Sequence, residues 1–168
     1  MPGQSDPAVG VGPRANGRRA LALTADEVRA LLAAERVVVV TSLGPRGYPH
    51  AMPMWFVPEG DIVSLWTAER SQKVRNLERD RKATLLVETG DAYEALRGVM
   101  IETDAEIVRD QERVRAFAQT LIARYPELTD GPLGNPEALE AQIRRRVVLR
   151  FAPTRVASWD HRKMAAQR

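Results

Sequence analysis

The sequence predicts an α+β fold, mainly antiparallel β, curled into a barrel with helices at its periphery. Three observations lead there. Short apolar or β-branched runs follow one another closely, at Val37 to Leu43, Ile62 to Thr67 and Ala83 to Glu88. Turn residues join the early runs as hairpins, Gly44-Pro45-Arg46-Gly47 and Glu59-Gly60-Asp61. Helical patterns interrupt this series as excursions and do not alternate strictly with the strands.

The elements follow in order. Residues 1–20 are rich in Gly, Pro, Ala and Arg without periodicity, and they read as a disordered tail before one domain over residues 21–168. Thr24-Ala25-Asp26-Glu27 has capping-box spacing, and Val28, Leu31 and Leu32 form the apolar face of a first helix. The run Val37 to Leu43 is a buried strand. Its hairpin partner, Tyr48 to Val57, has Pro49, Pro53 and Pro58 in or beside it. Proline cannot donate to a ladder, so this strand has an edge, a bulge or an open side near Pro53. A third strand, Ile62 to Thr67, breaks into a short charged helix after Ser71, and a strand over Ala83 to Glu88 ends at a Gly90-Asp91 turn. Arg97 to Val108 alternates as a long strand, with Gly98 expected at a bulge or bend. Asp110 caps a helix running to Arg124, with Val114, Phe117, Leu121 and Ile122 on one side. Pro126 stops it, and Glu127 to Gly134 is irregular. Asn135-Pro136 starts a last helix reaching Arg144. Strands at Val147 to Phe151 and Arg155 to Ser158 flank Pro153.

Composition removes several function classes. The chain has no cysteine, which excludes disulfides, zinc–thiolate sites and thiol catalysis and suits a reducing cytoplasm. The net charge of +3 comes from arginines mixed with acids along the chain, without the basic stripe and interleaved aromatics of a nucleic-acid binder. No apolar run is long enough for a membrane span, and the N-terminus lacks the apolar core of a signal peptide. A cytoplasmic protein is expected. Phosphate-binding glycine loops and the nucleophile elbow are absent. His50 and His161 lie far apart without other ligands around them, so no metal site is expected.

The segment Glu69 to Asp80, ERSQKVRNLERD, carries the chemistry. If Ser71 caps the helix, its first N–H groups point toward the break after Thr67, where an anion would be favoured. Lys73 and Asn76 share one helix face, while Val74 and Leu77 form the buried one. The competing reading is a solvated helix whose arginines pair with Glu69, Glu78 and Asp80, and spacing alone favours it.

These residues also resemble a known family. Met52-Pro53-Met54-Trp55-Phe56-Val57, the strand Ile62 to Thr67, then Ser71-Gln72-Lys73, Asn76-Leu77 and Arg79-Asp80 are similar to the flavin/deazaflavin oxidoreductase split-barrel superfamily. Its better-known members are the pyridoxamine 5′-phosphate oxidases. The C-terminal Ser158-Trp159-Asp160-His161-Arg162-Lys163 most resembles the actinobacterial branch that binds coenzyme F420. Arg81 stands where many relatives have proline.

The resemblance implies a six-stranded split barrel, a homodimer with cofactor sites at its interface, and a small organic substrate. It implies that Ser71, Lys73 and Asn76 hold the cofactor phosphate, with Trp66 and Thr67 along the linker. The backbone of Met52, Pro53, Met54 and Trp55 would face the tricyclic ring, and Trp159 would come from the partner or close the pocket. The implied activity is hydride transfer between the deazaflavin C5 and an unsaturated acceptor such as a quinone, tetrapyrrole, enone or lipid-like molecule. An FMN enzyme of the pyridoxamine-oxidase type and a non-catalytic cofactor- or haem-binding protein are the alternatives. No residue stands out as a general acid; Tyr48, His50, Tyr93 and His161 qualify by type only.

Overall fold

The computed structural model describes residues 20–167. The expected tail, apart from Ala20, lies outside the described residues. Seven antiparallel strands form one sheet in the order β2-β1-β5-β6-β7-β4-β3, where β1 is Val37–Leu43, β2 Pro49–Trp55, β3 Val57–Glu59, β4 Ile62–Ala68, β5 Lys82–Thr89, β6 Arg97–Val108 and β7 Arg146–Asp160. Among the described residues four α-helices longer than one turn accompany them: α1 Ala25–Ala34, α2 Gln72–Arg79, α3 Gln111–Arg124 and α4 Pro136–Ile143. The α+β, antiparallel class is as expected.

Seven strands stand where the family resemblance implies six, and one cause is local. The single strand expected over Tyr48 to Val57 divides at Phe56. On one side of the break β2 pairs with β1, Val37 opposite Trp55; on the other β3 pairs with β4, Val57 opposite Ser64. One nearly continuous extended stretch therefore forms both edges of the sheet and draws them together as the sheet curls. Phe56 points into the core at 0% exposure. Tyr125 Oη donates to its carbonyl at 2.7 Å, which supplies the partner that neither ladder can provide.

Local signals made the other elements as read. Thr24 Oγ1 accepts from Glu27 N at 3.2 Å and Glu27 Oε2 from Thr24 N at 2.7 Å, a complete capping box on α1. Asp110 Oδ1 caps α3 through Arg113 N, and Asn135 Oδ1 caps α4 through Ala138 N. Gly47, at φ +81°, supplies the left-handed residue of the first hairpin turn. The irregular loop before α4 holds two short 3₁₀ turns, Pro126–Asp130 and Pro132–Gly134.

Two expectations need correction. Gly98 is in regular register opposite Trp159; the irregularity in β6 lies between Glu102 and Thr103. Glycine is needed at Gly98 for space, because a Cβ there would meet the Trp159 indole at 2.4 Å. The two C-terminal strands are one strand, β7, which runs through Pro153. Its pairing with β4 ends at Phe151, beyond which it has β6 on one side only, and proline is tolerated on such an edge.

Two apolar clusters result. Alternate residues of the strands, among them Val38, Val40, Leu65, Leu85, Val99 and Leu149, fill the barrel together with Leu31 and Leu32 of α1 and Val74 and Leu77 of α2. The second cluster lies on the other face of β4 and β7, where Trp66 and Val148 meet Val114, Phe117 and Leu121 of α3 and Ile143 of α4. No helix among the described residues is long and apolar enough to cross a membrane.

Candidate functional site

The joint between β4 and α2 gathers the polar groups that the apolar clusters exclude. Thr67, the penultimate residue of β4, is 3% exposed, and its neighbours Val63 and Leu65 on the same face enter the barrel core. Ser71 is the N-cap of α2, with extended φ −70° and ψ 155°, yet its side chain caps nothing. Its hydroxyl instead accepts from Thr67 Oγ1 at 3.4 Å. The first-turn amides of α2 therefore have no side-chain acceptor, and the positive end of the helix faces the joint.

Lys73 completes the group. It is 7% exposed, and its Nζ donates to Thr67 Oγ1 at 3.0 Å. Among the described residues no carboxylate pairs with it. Burial pushes its pKa down, and the nearby Arg146 charge pushes the same way. A buried cation without a counter-ion is costly and is retained where an anion comes to it.

Asn76, one turn further on, is 1% exposed and fully engaged within the protein. Its Nδ2 donates to Ser42 Oγ at 3.0 Å, and its Oδ1 accepts from Gln72 Nε2 at 2.8 Å and Arg79 Nη2 at 3.2 Å. Arg79 also donates to the Leu43 carbonyl at 2.8 Å. Asn76 and Arg79 thus bolt α2 onto the end of β1 and fix the direction in which Lys73 and Ser71 point. Glu69 and Glu78 are both paired with Arg109.

Thr67, Ser71 and Lys73 are therefore brought together, with Asn76 beside them. The other expected site residues lie elsewhere. The Trp66 ring is on the opposite face of β4 from Thr67, within the α3–α4 cluster. Met52, Pro53, Met54 and Trp55 lie on β2, a strand exposed on both faces and paired on one edge only. Met54 touches the barrel core, while the Trp55 indole stacks with Tyr125 at 4.8 Å and with the Arg36 guanidinium at 4.7 Å. Trp159 stands toward the far end of β7, against Gly98.

Ser42 and Arg146 are polar residues near the joint that the sequence reading passed over, and Arg79, quoted there within the family motif, was given no role at the site. Ser42 carries a partial signal, as a polar residue at a core-facing position of an otherwise β-branched strand. His50, opposite Ser42 in the ladder, has a buried Nδ1 without a hydrogen-bond partner among the described residues. No group of acidic or histidine side chains suited to a metal ion occurs among the described residues.

This geometry has relatives. A conserved hypothetical protein from Mycobacterium tuberculosis superposes with a TM-score of 0.77 at 31% identity, covering 88% of this chain and 91% of its own. An F420 reductase superposes with a TM-score of 0.61 at 27% identity, covering 76% and 94%. The haem storage protein of Vibrio cholerae shares the fold at 15% identity, with a TM-score of 0.62 and coverage of 80% and 95%. A comparison with curated proteins finds no match. The family model described as pyridoxamine 5′-phosphate oxidase matches residues 24–160. That match takes in β1 to β7 and the β4–α2 joint, and by it the chain belongs to the pyridoxamine 5′-phosphate oxidase family, in the flavin- and F420-binding split-barrel superfamily.

Proposed function

We propose that the protein is a homodimeric, coenzyme F420-dependent oxidoreductase that holds the cofactor phosphate at the β4–α2 joint. The observation that carries this reading is Lys73, a buried cation that, among the described residues, has no carboxylate partner and lies beside unused helix N–H groups. That donor set fits a phosphate: Lys73 offers charge, Ser71 and Thr67 hydroxyls, and the first turn of α2 its amides. Asn76 and Arg79 act one step removed, by fixing α2 against β1.

When bound, the deazaflavin supplies the carbon that takes or gives the hydride, and the protein contributes orientation and exclusion of water. The backbone of Met52 to Trp55 suits a planar ring because an edge strand leaves alternate N–H and C=O groups free of the ladder. The dimer is supported by the sheet face turned away from the barrel core. Val37, Val39, Leu86, Met100 and Ala157 lie on it, apolar and exposed or partly exposed. The F420 reductase at 27% identity supports this cofactor over FMN.

Titration of the purified protein with coenzyme F420, FMN and haem, followed by turnover of reduced F420 with quinone and enone acceptors, tests the proposal. Tightest binding of F420 and acceptor-dependent oxidation are expected. A yellow protein that keeps FMN through purification, or binding of haem alone, would replace this reading with one of the other two.

A further inference from the structure

Arg146 opens β7 opposite Ala68, one ladder pair beyond Thr67 and Val147. Its guanidinium lies over the Trp66 ring, 4.6 Å from the centroid, and its Nε donates to Gln142 Oε1 of α4 at 3.0 Å. Neither contact is with a carboxylate, and its two Nη groups donate to nothing among the described residues. Arg150, further along the same strand, pairs with Glu106, and Arg109 pairs with Glu69 and Glu78. Burial pushes the Arg146 pKa down, and its charge reaches Lys73.

A buried lysine and a half-buried arginine thus stand at one joint, and among the described residues neither has a carboxylate partner. Like charges in that position repel, and each forgoes hydration. The arrangement is favourable once an anion lies between them. The planar guanidinium is also suited to the task, since one edge is fixed by Gln142 and the ring while the other edge keeps its fork for oxygen acceptors.

We propose that Arg146 is a second phosphate-binding cation of the β4–α2 joint and that Trp66 and Gln142 are positioning residues that hold its fork toward the ligand. Trp66 then serves the site through its face, from the far side of β4, without touching the cofactor. The inference rests on the reading of the joint as a phosphate site, and it adds a ligand from a strand that is distant in sequence.

Paired ligands separate the two claims. FMN and coenzyme F420 are titrated beside riboflavin and the deazaflavin riboside, which lack the phosphate. The proteins are wild type, Arg146→Gln, Arg146→Lys, Trp66→Phe and Trp66→Leu, with thermal melts to establish folding. Arg146→Gln is expected to weaken the phosphate-bearing ligand that wild type binds by about ten- to hundredfold, the loss of one charged hydrogen-bonding partner. The matching riboside is expected to keep its affinity. Arg146→Lys recovers part of the loss, Trp66→Leu shows a smaller loss with the same phosphate dependence, and Trp66→Phe retains most of the affinity. If wild type binds each ligand and its riboside equally, the phosphate reading of the joint falls and Arg146 with it. If wild type discriminates and both Arg146 variants discriminate as well as it does, only the role of Arg146 is overturned. An Arg146→Gln protein that does not fold leaves Arg146→Lys to decide, since loss of the planar fork alone must reduce discrimination.

Discussion

Replacing Lys73 by methionine should make the ligand-free protein more stable and the cofactor weaker-binding at the same time. Lys73 is 7% exposed, and its one protein hydrogen bond goes to Thr67 Oγ1 at 3.0 Å. Methionine matches its length and fills the same space with an apolar chain. The substitution forfeits that hydrogen bond, about 1.5–3 kcal/mol for a charged donor. It also removes a buried charge without a counter-ion and the repulsion from Arg146. Replacing buried ion pairs by apolar residues of similar size is neutral or gains up to about 4 kcal/mol, and a cation with no partner to offset its desolvation lies toward the upper end. Thr67 is not orphaned, because its hydroxyl still meets Ser71. The balance is a gain of about 1 kcal/mol, which at this chain length raises Tm by about 2–4 °C. Thermal melts with and without F420 or FMN measure both effects. The ligand-free Tm rises, and the upward shift produced by cofactor in wild type shrinks, since ligand stabilisation follows affinity. A lower ligand-free Tm with an undiminished cofactor shift would show that Lys73 is a structural tie and that the joint holds no anion.

Two further outcomes test the frame around the site. Gly98→Ala places a methyl group 2.4 Å from the Trp159 ring, so the indole must leave its seat; a loss of about 1–3 kcal/mol and a changed tryptophan emission are expected, and an unchanged spectrum would contradict the packing. The Arg162 guanidinium holds the Asp160 carboxyl below the ordinary carboxylate range. Its contribution to stability is therefore complete above that range and disappears as pH falls through the lowered value. Asp160→Asn should lower Tm at neutral pH and flatten the acid side of the Tm–pH curve; parallel curves for the two proteins would refute the pairing.

The elements were legible where their cause is local. The capping box of α1, the Asp110 and Asn135 caps, the β-branched run of β1 and the Gly47 turn each act within a few residues, so sequence order contains them. What escaped depends on partners from elsewhere. Phe56 sits in a stretch whose two halves are equally extended, and only closure of the sheet onto β4 divides them. A glycine in a strand signals either a bulge or a close approach, and Gly98 is the second kind because Trp159 arrives from the opposite strand. Pro153 reads as a strand break unless it is known that β4 stops pairing at Phe151.

The same division runs through the candidate site. Ser71 and Lys73 are set side by side by a helix start, but spacing alone favoured a solvated helix, and the family resemblance is what assigned them a phosphate. Thr67 and Trp66 were both taken toward the cofactor, although adjacent residues of a strand point to opposite faces, and this period-two rule assigns them to different sides. Asn76 shares a face with Lys73, but Ser42 arrives across the barrel and occupies its amide. Arg146 sits in the run Arg144-Arg145-Arg146, where nothing local distinguishes one arginine from the next. Strand pairing does: Arg145 lends its carbonyl to Glu69 N, while Arg146 falls opposite Ala68 with Trp66 under its guanidinium. The charge at the joint is thus selected by register and not by composition. Substitutions that shift the β4–β7 register should therefore affect phosphate binding as strongly as loss of Arg146 itself.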